Sequence, residues 1–133
     1  MAVVAGLTAL SGVSLFSNQL TSIAPLSTLT ELRYISIDNN AITDLSVAAN
    51  WTNLTWLDGS GLAITNVDSL QGLTALSTAN LRGTATLTSL TGLLNNSGFG
   101  SGDTLDVTNT GVSCTDVATL EANGVTVTSS CQQ

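Results

Sequence analysis

The sequence predicts an α/β solenoid in which short parallel strands stack one above another, and three observations carry that reading. Leu10, Leu32, Leu54 and Leu76 are spaced 22 residues apart, and a fixed period of this length marks stacked units that share one continuous core. Counting each of these leucines as position 1, position 4 carries Val13, Ile35, Leu57 and Ala79, and position 6 carries Leu15, Ile37, Gly59 and Leu81. Position 11 continues with Leu20, Ile42 and Ile64, and position 14 with Ile23, Leu45 and Val67, so apolar side chains recur wherever a closed coil must fill its interior. The 133 residues, 43% of them hydrophobic with a single proline, suit one elongated domain, with about five repeats over 1–112 and a C-terminal cap over 113–133.

The register reaches back to the first residue. Met1 aligns with Ile23, Leu45 and Val67, Val4 with Leu26 and Leu70, and Leu7 with Leu29 and Leu73, while the phrase GLTAL at 6–10 recurs at 72–76. The opening apolar residues are therefore repeat residues without the basic leader of a signal peptide. A solenoid that starts inside a unit without a polar cap leaves apolar surface open, so the expectation is a fragment of a longer protein, with repeats and a secretion signal upstream. The uncovered first strand is also expected to favour self-association.

Within each unit, positions 4 and 6 lie two apart and point to one side of an extended chain, while positions 3, 5 and 7 point to the other. Asn18 and Asn40 at position 9 suit the turn that leaves the strand, because a short amide satisfies backbone groups that no neighbouring strand reaches. Leu62, Thr84 and Thr110 occupy the later equivalents, so those turns are expected to close differently. Trp51 stands at the position of Leu7, Leu29 and Leu73 and reads as a core residue replacing leucine.

Leu87, Leu90 and Leu93 sit one residue late in the fourth unit, and the Gly-, Asn- and Ser-rich segment 95–103 interrupts the pattern before Leu105, Val107, Thr110 and Val112 restore it. Phe99 in that loop is either a core anchor or an exposed contact, and the anchor is the simpler reading. Ser113 and Asp116 form a capping-box pattern, Val117 and Leu120 share a helical face, and Gly124 is placed to stop a helix expected near 114–123. Val125 and Val127 then alternate as a last strand.

Nine acidic residues, two arginines, no lysine and no histidine give a net charge of −7, which excludes the basic patch that a nucleic-acid partner requires. No apolar run is long enough to cross a bilayer. Cys114 and Cys131 flank the last predicted element and are placed to close the solenoid's end with one disulfide, the alternative being two buried free thiols. Two cysteines without histidine do not complete a structural zinc site. The polar surface, made largely of Ser, Thr, Asn and Gly, fits an extracellular bacterial protein better than a cytosolic one.

The phrases LRYISIDNNAITDL and IAPL at 23–26 resemble the internalin-type leucine-rich repeats of bacterial surface proteins, over roughly residues 1–112. The cysteine-bearing helical tail resembles the end pieces of secreted bacterial leucine-rich-repeat proteins, without the immunoglobulin-like domain that follows internalin repeats. The resemblance implies a horseshoe with a parallel sheet on the concave face and an irregular or 3₁₀ convex side. It further implies recognition of partners by the concave face, no catalysis and no cofactor.

On that face the candidate ligand-binding residues are Phe16, Arg33, Tyr34, Asp38, Trp56, Asp58, Arg82 and Asp106. Tyr34 and Trp56 share position 3 on adjacent strands and are expected to pack side by side, with Phe16 completing an aromatic strip. Clustered Tyr, Trp and Arg are the side chains enriched at protein interfaces, so a protein partner, from a host or a cell surface, is the first reading. The plainer alternative is rings that cover only one another. A glycan platform on Tyr34 and Trp56 ranks second, and an ice-binding solenoid, suggested by threonine columns such as Thr21, Thr43 and Thr65, ranks lower with a pure scaffold. Arg82 lies diagonal to Asp58 and Asp106, so charge pairing within the sheet is as good a reading as function. Asp38, Asp58 and Asp106 lack the compact spacing of a cation loop, and no nucleophile and base pair is available for catalysis.

Overall fold

Each unit contributes a three- or four-residue extended segment, and these segments can satisfy their backbone groups only by pairing with the units above and below. The structure, a computed structural model, describes residues 9–131. Six strands form one parallel sheet in chain order: β1 (Gly12–Ser14), β2 (Tyr34–Ser36), β3 (Trp56–Asp58), β4 (Thr78–Asn80), β5 (Thr104–Val107) and β6 (Thr126–Ser129). Gly12 pairs with Tyr34, Tyr34 with Trp56, Trp56 with Thr78, Thr78 with Thr104, and Thr104 with Thr126. The offset is 22 residues (34 − 12) at every step except the 26 (104 − 78) across segment 95–103, so β6 keeps the repeat period that the sequence reading assigned to a cap. Residues 1–8, and with them the proposed open apolar edge, lie outside the described residues.

The return path of each coil runs through 3₁₀ turns at Ala24–Leu26, Ser46–Asn50 and Asp68–Leu70, then through the helices α1 (Thr91–Leu94) and α2 (Cys114–Ala122). A column not singled out in the sequence starts these turns: the Ser22 hydroxyl, Asp44 carboxylate, Asn66 carbonyl and Ser89 hydroxyl accept the N–H of Ala24, Ser46, Asp68 and Thr91 respectively. Each is a short polar side chain bonding two residues ahead, the local geometry that opens a tight turn. A second column, at position 8, turns the chain out of the strands: Ser17, Asn39 and Asn109 have φ of 55°, 58° and 59°, and Gly61 and Gly83 have 70° and 74°. These are left-handed conformations, which explains Asn and Gly there.

The core is one cluster along the solenoid axis, with Leu32, Leu54 and Leu76 at position 1 and Ile35, Leu57, Ala79 and Leu105 at position 4 all buried. Trp51 is 0% exposed and follows the small, buried Ala48, so added and removed volume fall in the same unit. Its indole N–H donates to the Leu26 carbonyl at 3.0 Å. Asn96, the next-but-one residue in that column, does the same for the equivalent Leu70 carbonyl at 2.8 Å, and also reaches Leu73.

Phe99 is buried, so it anchors segment 95–103 as the sequence suggested. Helix α2 starts at Ser113, whose hydroxyl accepts the Asp116 N–H at 3.1 Å, and the chain leaves it through Gly124 with φ 98°. Cys114 and Cys131 are disulfide-bonded with Cα atoms 5.5 Å apart, which decides against free thiols and ties the start of α2 to the end of β6.

Candidate functional site

The exposed sheet face is built from positions 3, 5 and 7 of successive strands. At position 3 the rings of Tyr34 and Trp56 stack with centroids 4.6 Å apart and planes 17° from parallel, a separation close to the strand spacing of about 4.8 Å. The parallel register therefore places the rings in contact without strain, and offset stacking of this kind contributes about 1 kcal/mol beyond the area it covers. Tyr34 remains 38% exposed and Trp56 half-buried. A methyl group at Gly12 would lie 3.6 Å from the Tyr34 ring, so the glycine leaves the outer side of the stack open.

Phe16 does not complete the strip. The parallel ladder continues past β1, with Leu15 N–H donating to Ser36 and Ser17 N–H to Asp38, which sets Phe16 level with Asp38 at the far end of the strands. It is 56% exposed, and the Tyr34–Trp56 pair is the sole ring stack among the described residues. Same-face placement is not contact: Phe16 and Tyr34 are separated by four positions along the strand direction.

The carboxylates of this face bond within their own turns. Asp58 accepts the Ser60 N–H at 3.1 Å and its hydroxyl at 2.8 Å, and Asp106 accepts the Thr108 N–H at 2.9 Å. Asn80, between them, accepts the Arg82 N–H at 3.1 Å. Position 5 is thus a column of side chains that tie down the backbone two residues on. Asp38 accepts from the Ser36 hydroxyl and the Asn39 amide. Arg82 pairs with neither Asp58 nor Asp106, and no arginine forms an ion pair among the described residues. Both guanidinium groups are exposed on residues flanking the strands. Three His, Cys, Asp or Glu side chains converge nowhere among the described residues.

Beside the stack lies a trough of about 280 Å³ over β3 to β6, walled by Trp56 and floored by the short residues Thr78, Asn80, Thr104 and Asp106. Asn80, Thr78 and Thr104 were not among the candidates; their signal in the sequence was small polar residues following an aromatic at positions 3 and 5. A groove of about 440 Å³ lies elsewhere, between the 3₁₀ turns of the second and third units, lined by Thr43, Asp44, Ser46 and Asn66. It has no aromatic wall, and its Asp44 and Asn66 oxygens are already engaged in starting those turns.

A family model described as leucine-rich repeats in two copies matches residues 8–50, and the six-stranded parallel ladder extends that architecture over the described residues. The chain folds as a leucine-rich-repeat protein. Its structure is similar to internalin C2 from Listeria monocytogenes, with a TM-score of 0.79 and 25% identity over 96% of this chain and 56% of that one. It is also similar to internalin F from the same organism, with a TM-score of 0.69 and 24% identity over 98% of this chain and 46% of the other. The functional domain of InlJ, described as including a cysteine ladder, gives a TM-score of 0.72 and 24% identity over 98% of this chain and 28% of that chain. This leucine-rich-repeat chain thus spans about half or less of the lengths of these internalins. No curated protein matches it in sequence. Among the described residues no helix is long and apolar enough to cross a membrane.

Proposed function

We propose that this chain is a non-catalytic binding module of a secreted or cell-surface bacterial protein, and that it recognises a protein partner through the exposed sheet face. The observation that carries the reading is the Tyr34–Trp56 stack, a solvent-facing aromatic pair held in register by the sheet. Such rings are already ordered before a partner arrives, so less side-chain entropy is lost on binding. Arg33 adjoins Tyr34 in sequence, and the exposed Arg82 lies two strands away. The disulfide supports an oxidising compartment, and resemblance to internalin repeats supports a protein partner and a place within a longer protein.

The test is capture of a surface-protein partner by the wild-type chain, followed by affinity measurement with Tyr34→Ala and Trp56→Ala. Each should weaken binding about tenfold or more, as truncation of an aromatic hot spot does, while the melting temperature stays nearly unchanged. Thr43→Ala, exposed in the return path, serves as the control and should bind normally. Normal binding by both aromatic variants would assign the stack to sheet cover alone.

A further inference from the structure

Trp56 has two faces, and Tyr34 covers one of them. The other is directed toward β4, where the register puts Thr78 in place of a third ring. That free face walls the trough of about 280 Å³ whose floor and far side are Thr78, Asn80, Thr104, Asp106, Thr126 and Thr128. The volume is near the lower end of small-molecule sites, about 300 Å³, and suits one ring-sized ligand rather than an extended chain.

The polar atoms around this space are held and half-used. Asn80 and Asp106 are paired in register on adjacent strands. In each, one oxygen is occupied by the N–H two residues on, which fixes the side-chain plane. What remains is the amide of Asn80, a donor, and the second carboxylate oxygen of Asp106, an acceptor, with no partner among the described residues. The Thr104 hydroxyl donates to that of Thr78 at 3.3 Å, while the Thr126 and Thr128 hydroxyls have no partner among the described residues.

The geometry points to a subsite for a neutral pyranose, packed with its C–H face on Trp56 and with a vicinal diol bridging Asn80 and Asp106. Adjacent ring hydroxyls each donate and accept; the carboxylate takes a proton from one hydroxyl and the amide donates to its neighbour. A purely apolar ligand would leave these two groups desolvated and unpaired, and an anionic sugar would meet the Asp106 charge. A ring-sized polyol with one apolar face satisfies both of these groups and the Trp56 face. The subsite shares Trp56 with the protein-partner reading but does not depend on it, because its polar contacts lie on β4 and β5.

The experiment is a titration of the full chain with methyl glucoside, methyl galactoside and methyl mannoside, following the Trp56 indole N–H resonance, with that of buried Trp51 as internal reference. At least one sugar should shift Trp56 saturably in the millimolar range and leave Trp51 still. Asp106→Asn retains an oxygen for the Thr108 N–H but replaces the free acceptor with a donor, and should weaken binding about tenfold. Thr78→Tyr, at a register position that already holds Tyr34 and Trp56 on neighbouring strands, should extend the stack, fill the trough and abolish the shift. Absence of any Trp56 shift, or a shift unchanged in Asp106→Asn, would overturn the proposal. Both variants keep Tyr34 and Trp56, and protein capture measured on the same variants reports the protein-partner reading separately from the sugar.

Discussion

Asn18 and Asn40 occupy the same repeat position, yet only one of them is a structural hub. The Asn40 carbonyl oxygen accepts the N–H of Asn18 and of Leu20, and its amide donates to the carbonyls of Leu15, Ile37 and Asp38. Asn40 is buried, whereas the exposed Asn18 uses its amide on Phe16. Later units divide this work: the Thr84 hydroxyl donates to the Gly59 carbonyl, equivalent to Asn40 on Leu15, and the Thr110 hydroxyl to Val107, equivalent to Asn40 on Ile37. Asn40→Ala should therefore cost about 3 kcal/mol, because buried backbone groups lose their partners, while Asn18→Ala should cost under about 0.5 kcal/mol. Chemical denaturation of the two variants checks this, and equal losses would refute it.

Leu62 shows a residue that breaks the pattern for a packing reason. Gly59 lacks the usual position-6 side chain, and an added methyl there would sit 3.3 Å from both Leu62 and Leu81. Leu62 fills the vacancy. Restoring the repeat asparagine by Leu62→Asn should thus destabilise by about 2 kcal/mol. Gly59→Ile combined with Leu62→Asn should be more stable than the sum of the single changes by about 1 kcal/mol, a coupling that a double-mutant cycle reads directly.

At the scale of elements, the return path depends on close approach between neighbouring coils. Gly92 in α1 lies so near the Val67 carbonyl that any side chain would collide with backbone. Gly92→Ala should cost about 2 kcal/mol or more, despite alanine's higher helix propensity; a neutral or stabilising result would contradict the packing. Asp44, which starts the second 3₁₀ turn, has its carboxyl held below the ordinary value, first by the Ser46 N–H and then by the Ser46 hydroxyl. Its folded value being depressed, the stabilisation is present at neutral pH and fades as pH falls through that lowered value. Carboxyl NMR should find Asp44 titrating below the usual aspartate range, and Ser46→Ala should move it part of the way back.

The disulfide joins the two ends of the last element pair, with 17 residues of separation. Replacing both Cys114 and Cys131 by serine should lower stability by about 3 kcal/mol through the unfolded-state entropy it releases. Amide exchange should then rise first in α2 and β6, because each coil of a solenoid is supported only by its neighbours. Uniform loss of protection from β1 to β6 would count against that local effect.

At the scale of the molecule, the repeat period, the alternation of inward and outward positions, the buried Trp51 and Phe99, and the terminal helix were all legible in the chain. Each is a local or periodic property: a side chain every second residue faces the core, and a recurrence of 22 residues leaves parallel stacking as the way to bury it. The sequence likewise put Tyr34 beside Trp56, since equal register positions on adjacent strands meet. What it could not decide was how groups on one face divide among several possible partners. Phe16, Arg82 and the position-5 carboxylates share the face with Tyr34 and Trp56, yet Phe16 stands apart, Arg82 has no ion pair among the described residues, and Asp58 and Asp106 bond their own backbone. Periodicity fixes which way a side chain points. Which neighbour it reaches is set by distances of a few ångströms between coils, and those exist only once the solenoid has closed.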